Sequence, residues 1–333
     1  MRFTSLLIVV ILCLAVVPTP RAQDPAPATP AAPAPAAGPM VALSMIATDK
    51  DSKGVNTIRK DQIRVFEDKD EQKVLSIEAD ERPVDYVVVL DSSGSLHRLF
   101  ASALEAARLF ILNRRPEDQV AIVRFVSSNV VEKVQEFSTD RDVLLKAIDT
   151  SYLEGGQSAV IDALYLTTQY VDEYNKANEG RRKVVVVITD GEDRASYYKQ
   201  EQLIALLRET GVQVFILGLV VALDDQGGFI RVSPRSKAEK FLTIVAEESG
   251  GRVFFPKDKQ ELVAGAGEIL LDLRAQFRIN YQSTHDASKK GFRKVEVKFV
   301  AAEGDEKRKL VTPPGYFFGP RTPPKSDKKK KKS

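Results

Sequence analysis

Five oxygen-bearing side chains stand out by type and position. Asp91, Ser93 and Ser95 lie in the run Asp91-Ser92-Ser93-Gly94-Ser95, Ser158 ends Gly155-Gly156-Gln157-Ser158, and Asp190 opens Asp190-Gly191-Glu192. Two carboxylates and three hydroxyls make a hard donor set with no His or Cys. Such a set selects Mg²⁺, with Mn²⁺ or Ca²⁺ as alternatives, over Zn²⁺ or Cu²⁺. Each run alone has a plainer reading: Asp and Ser form turns, and Asp190 could cap a helix. The metal reading therefore depends on whether the fold brings the three runs together.

The surrounding elements suit that. Tyr86 to Leu90 is a continuous apolar, β-branched run, as in a strand buried on both faces, and it leads straight into Asp91. Leu99 to Asn113 has helical spacing. Val120 to Val126 reads as a second buried strand, with Val130 to Phe137 pairing at its edge. Asp140 to Asp149 and Ser158 to Tyr174 read as helices. The strand Lys183 to Thr189 ends in Asp190. A helix over Lys199 to Thr210, a strand over Val212 to Val220, and a helix, strand and helix over Ser236 to Ser249, Arg252 to Phe255 and Asp258 to Ala275 follow. This alternation predicts an α/β fold with a doubly wound, mostly parallel sheet and helices on both faces. Ligands of such sheets bind beyond the carboxyl ends of the strands. Asp91 and Asp190 close two of those ends, and Ser158 sits in a loop before a helix.

Asp91-Ser-Ser93-Gly-Ser95 resembles the metal-ion-dependent adhesion site of von Willebrand factor A and integrin I domains. Ser158 in GGQSAVIDAL matches the family's Thr position, and Asp190 in TDGED matches its last acidic position. The three blocks occur in family order, and the likeness covers roughly residues 84–275. The framing pieces TDKDSKGVNTIRKDQIRVFEDKDEQKVLSIE and FRKVEVKFV…PPGYF resemble bacterial, acidobacterial-type exported proteins of this family. The resemblance implies that Ser93, Ser95 and Ser158 bind the cation through hydroxyl oxygens, with Asp91 and Asp190 binding directly or through water. Ser in place of Thr at 158 keeps the hydroxyl and loses a packing methyl. Two carboxylates neutralise a dication, and if they act partly through water the metal stays electrophilic. Mg²⁺ dehydrates reluctantly and keeps waters, so one position is expected to hold water until a partner's Asp or Glu replaces it. The resemblance also implies that the helix Asp258 to Ala275 shifts with ligand occupancy. The expected function is metal-dependent protein binding or adhesion. A metal-independent envelope scaffold and a metal-dependent hydrolase are the alternatives.

The hydrolase reading is thin. The chain has two histidines, His97 and His285. His97 follows Ser95 by two residues, so a Ser-His dyad can be drawn, but an exposed residue in a first helical turn is the plainer reading. GxSxG, HExxH and GxxxxGK[ST] are absent. Gly265-Ala-Gly267 lies in a helical pattern without a third glycine. Glu192 and Asp193 are the acids nearest the proposed metal.

Outside the α/β region the pattern is β-rich. Val41 to Ala47, Ile63 to Glu67 and Val74 to Glu78 read as strands, the last two around the turn EDKDEQ. Phe277 to Gln282 and Arg293 to Val300 alternate apolar and polar residues, and Leu310 to Phe318 reads as one more short strand. Residues 40–82 and 276–319 are expected to pair as one small β-domain with the α/β domain (84–275) inserted between them. Arg2, the apolar run Leu6 to Val17, and Pro18, Pro20 and Ala22 predict a cleavable export signal over residues 1–22. The run is shorter than the ~20 residues of a membrane span, and an uncleaved anchor is the alternative. A periplasmic, cell-surface or secreted protein is expected. Cys13 is the sole cysteine, so the mature chain is expected to lack disulfides and thiolate metal sites.

Residues 23–39, almost wholly Ala and Pro, suit an extended linker. Residues 320–333 form a Lys-rich tail that could touch an anionic surface weakly. The formal charge is +3. Arg2 and Arg21 supply two of the positive charges and residues 325–333 a further net five, which leaves residues 23–324 at −4. An acidic body argues against nucleic-acid binding.

Overall fold

The structure, a computed structural model, describes residues 38–224, 232–286, 288–302 and 304–319. The expected export signal, nearly all of the linker, residues 225–231 and the basic tail lie outside the described residues. Strands β1 (Met40–Thr48), β2 (Ile63–Glu67), β3 (Asp70–Gln72) and β4 (Val74–Ala79) come first. The alternating region then runs β5 (Val84–Asp91), α1 (Phe100–Leu112), β6 (Gln119–Phe125), β7 (Val131–Ser138), α2 (Arg141–Asp149) and α3 (Val160–Lys176). It continues through β8 (Arg182–Thr189), α4 (Gln200–Thr210), β9 (Gln213–Gly218), α5 (Pro234–Ser249), β10 (Val253–Phe254) and α6 (Lys259–Arg274). β11 (Phe277–Gln282), β12 (Gly291–Phe299), β13 (Lys309–Val311) and β14 (Gly315–Phe318) follow.

The alternating region forms one six-stranded sheet in the order β10-β9-β8-β5-β6-β7. Its pairings are parallel except β6 with β7. All eight residues of β5 are buried. The pleat sends Tyr86, Val88 and Leu90 toward the core under α1, α2 and α6, and Val87 and Val89 toward the core under α3, α4 and α5. Each fully buried Val or Leu contributes roughly 1.5–3 kcal/mol, so the middle strands are held by burial on both faces. Their carboxyl ends are a firm base for side chains at Asp91 and Asp190. The strand expected over Val212 to Val220 stops at Gly218, and Val220–Ala222 forms a tight helical turn instead. Phe255 packs so closely over Gly218 that a Cβ there would lie 2.7 Å from its ring.

The flanking strands interleave into two four-stranded sheets, β13-β1-β11-β4 and β14-β12-β2-β3. Each draws strands from both sides of the alternating region, through β1 with β11 and β2 with β12. Their inward residues, among them Leu43, Met45, Val65, Ile279, Tyr281 and Val295, share one core. The single strand expected over Leu310 to Phe318 is two strands in different sheets. Pro313 and Pro314 sit between them, and proline has no N–H for a ladder. The turn EDKDEQ contains the extra strand β3. Asp80 N–H donates to the Gln276 carbonyl at 2.7 Å, so the chain enters and leaves the alternating region side by side.

Candidate metal centre

β5 ends at Asp91, and Ser92 N–H still donates across to the Phe125 carbonyl of β6 at 2.9 Å. The chain then tightens into a 3₁₀ turn, Gly94–Leu96. Ser93 N–H donates to Asp91 Oδ1 at 2.9 Å. Asp91 Oδ2 accepts from Thr189 Oγ1 at 2.6 Å and from Ser158 Oγ at 3.4 Å. Ser93 Oγ and Ser95 Oγ are 3.1 Å apart. The loop bearing Ser158 is tied down from below: the Ser92 carbonyl accepts from Glu154 N–H and Gly155 N–H, both at 3.2 Å, and Ala159 N–H donates to the Val126 carbonyl at 3.0 Å. Gly155 and Gly156 have φ of 87° and 96°, the left-handed region that glycine enters freely. On the other side the Ser158 carbonyl accepts from Arg194 N–H at 2.9 Å and Ala195 N–H at 3.1 Å. Asp190 Oδ1 accepts from Glu192 N–H at 2.9 Å. Three runs distant in sequence therefore meet at one sheet edge. Asp91, Ser93, Ser158 and Asp190 are buried there, and Ser95 is exposed at the mouth.

The von Willebrand factor type A domain model matches residues 85–265, more than half of the 333-residue chain. The chain belongs to the von Willebrand factor type A domain family. A search of curated proteins returns no match. Among solved structures, a conserved hypothetical protein BatB from Bacteroides thetaiotaomicron is 18% identical. The match covers 57% of this chain and 98% of that one with a TM-score of 0.44. Proximal thread matrix protein 1 from the mussel byssus is 20% identical, covering 61% of this chain and 49% of that one, with a TM-score of 0.44. The SpRpn10 VWA domain is 13% identical, covering 56% and 95%, with a TM-score of 0.40.

The electrostatics of the A domain's sheet edge favour a cation. Burial pushes the Asp91 carboxyl up to about 6, and the nearby Asp190 charge pushes it the same way. Burial also raises Asp190, while the neighbouring Ser95 hydroxyl favours its charged form. Asp190 Oδ2 is buried and has no hydrogen-bond partner among the described residues. A buried carboxylate oxygen without a partner is costly, and a bound cation would satisfy it. The donors present therefore fit a hard divalent ion. Asp91, Ser93, Ser95, Ser158 and Asp190 would hold it, and it would supply a positive centre for an anionic ligand. Among the described residues no group of three or more His, Cys, Asp or Glu side chains forms a metal cluster; this set is built mainly from hydroxyls.

Thr189 is a contributor that motif reading missed. It looks like one more strand residue, yet it gives Asp91 its shortest hydrogen bond and accepts from Gly191 N–H at 3.0 Å. Arg124 is another. It is 3% exposed and joins Glu154 at 2.7 Å to Glu132 at 2.6 Å, stacking over Tyr152. The acids nearest the site, Glu192 and Asp193, are engaged. Glu192 pairs with Arg194 at 2.5 Å, and Asp193 accepts from Ser196 Oγ and from Ile161 N–H at the start of α3. His97 is exposed just after the 3₁₀ turn, and no hydrogen bond joins it to Ser95 among the described residues. A groove of about 540 Å³ lies elsewhere, between α5, β10 and β13. Glu247 is its one carboxylate, so it lacks a comparable donor set.

Proposed function

We propose that this chain is a metal-dependent protein-binding module, not an enzyme. Asp91, Ser93, Ser95, Ser158 and Asp190 form a metal-ion-dependent adhesion site for Mg²⁺, or for Mn²⁺ or Ca²⁺, and the ion takes a carboxylate from a protein partner. The observation that carries this reading is the pair of buried acids, one with an unpartnered oxygen, packed against three serine hydroxyls. Family membership supports the binding role, since von Willebrand factor type A domains are typically protein-interaction modules. Arg2 and the apolar run Leu6 to Val17 support export. No described helix is long and apolar enough to cross a membrane. Calorimetric titration of Mg²⁺, Mn²⁺ and Ca²⁺ tests the proposal. One ion should bind per chain, and Asp91→Ala should abolish the heat while keeping a folded melting profile. Absence of binding at millimolar ion would overturn it.

The groove between β10 and β13 favours a second reading, a scaffold that holds partners without metal. β10 and β13 are edge strands of their sheets, and open edges can accept an added strand. Partner capture that survives EDTA would favour the scaffold over the metal-dependent module.

A further inference from the structure

We infer that Arg98 is a second anchor for the ligand carboxylate, its guanidinium binding the group beside the cation. This rests on the metal-dependent reading above. The local backbone supplies the placement. His97 N–H donates to the Gly94 carbonyl at 3.3 Å and Leu99 N–H to the Leu96 carbonyl at 2.8 Å. Successive three-residue turns put positions three apart on one side. Leu96 is buried and Leu99 packs against the same core. Ser95 and Arg98, also three apart, are both exposed. Arg98 therefore follows Ser95 on the same exposed stretch, three residues along the chain from the site.

Charge gives the reason. A dication with Asp91 and Asp190 sums to zero, so an incoming carboxylate would leave the centre net negative. A further positive charge nearby would offset it. The neighbouring arginines are already committed, Arg194 to Glu192 and Arg124 to Glu132 and Glu154. Arg98 has no ion pair or hydrogen bond among the described residues. Its planar fork of donors suits a carboxylate.

The test uses Mn²⁺ as the ion and acetate as the probe. Water-proton relaxation reports both Mn²⁺ uptake and the displacement of its bound water by acetate. In Arg98→Met the acetate half-saturation concentration is expected to rise about tenfold, the effect of losing a charge-assisted hydrogen bond at an open site. Mn²⁺ affinity should stay constant or tighten slightly, because a like charge has been removed. Arg98→Lys should fall between wild type and Arg98→Met for acetate. Equal acetate binding in wild type and Arg98→Met would overturn the inference and leave the metal site standing. Parallel loss of Mn²⁺ and acetate binding would assign Arg98 a structural role and also overturn it. Wild type that takes up no Mn²⁺ would overturn the metal reading itself, and this inference with it.

Discussion

At Asp91 and Asp190 the protein buries two carboxylates close together, and the metal-free state bears the cost. Asp190→Asn keeps an oxygen for the Glu192 N–H and removes one buried charge. The variant should lose any rise in melting temperature on adding Mg²⁺. In EDTA it should melt higher than wild type by a few degrees, about 1 kcal/mol, as when function is traded for stability. A variant that is less stable in EDTA would mean that the charge is not uncompensated. Asp272 presents a related problem away from the site. It is fully buried on α6, and burial pushes its carboxyl up to about 7 although Arg252 pulls the other way at 2.8 Å. Its folded value lies above the ordinary 3.8, so protonation favours the folded state. That contribution is complete below about pH 4 and is lost as pH rises through about 7. Asp272→Asn should therefore gain stability relative to wild type across that window, by at most about 1.4 kcal/mol per pH unit. Urea unfolding of both proteins at pH 5, 6, 7 and 8 measures it. A constant difference between the two would remove the claim.

Among the elements, the loop 150–159 must be held most carefully, because Ser158 reaches Asp91 only if that loop is pinned. Ser92, Val126 and Arg124 do the pinning, through two backbone carbonyls and one buried guanidinium. Glu154→Gln weakens the grip of Arg124 without emptying any core. It should lower divalent-ion affinity about tenfold in calorimetry and change the melting temperature in EDTA by less than about 2 °C, since partly exposed ion pairs contribute little to stability. An unchanged affinity would show that the backbone contacts suffice. This loop also marks how far sequence reading reaches. The runs Tyr86 to Leu90 and Lys183 to Thr189 are apolar and β-branched, so their identity as buried strands, and the placement of Asp91 and Asp190 at their ends, could be read directly. Ser158 needed the likeness to a family. Thr189, Ser92 and Arg124 carried no local mark, because their roles come from a hydroxyl, a carbonyl and a guanidinium that meet partners only in the folded chain. The misreading of Leu310 to Phe318 has the same origin. Apolar content marks a strand, but sheet membership is decided by what lies alongside.

For the whole molecule, interleaving the flanks makes the two ends of the chain mutually dependent. β11 lies between β1 and β4, and β2 lies between β3 and β12. Deleting residues 277–319 would strip β1 and β4 of their shared neighbour and uncover Leu43, Met45 and Val65. It would also leave open strand edges, which invite aggregation. Deleting residues 40–82 as well would remove those orphaned strands altogether. The remaining sheet keeps both of its helical layers. It loses the contacts of Ile46 and Val311 with the core under α1 and α6, the packing of β14 on α4, and the Arg208–Phe292 and Arg252–Ser52 contacts. The two deletions should therefore be strongly non-additive. The chain lacking only 277–319 should be the less soluble and should show no cooperative melt. The doubly deleted chain should melt cooperatively and still bind one Mg²⁺. Thermal melts, sedimentation and calorimetry on the three proteins decide the matter. If the doubly deleted chain is the worst behaved, the flanking sheets are part of the A domain's own core, and the metal site depends on them.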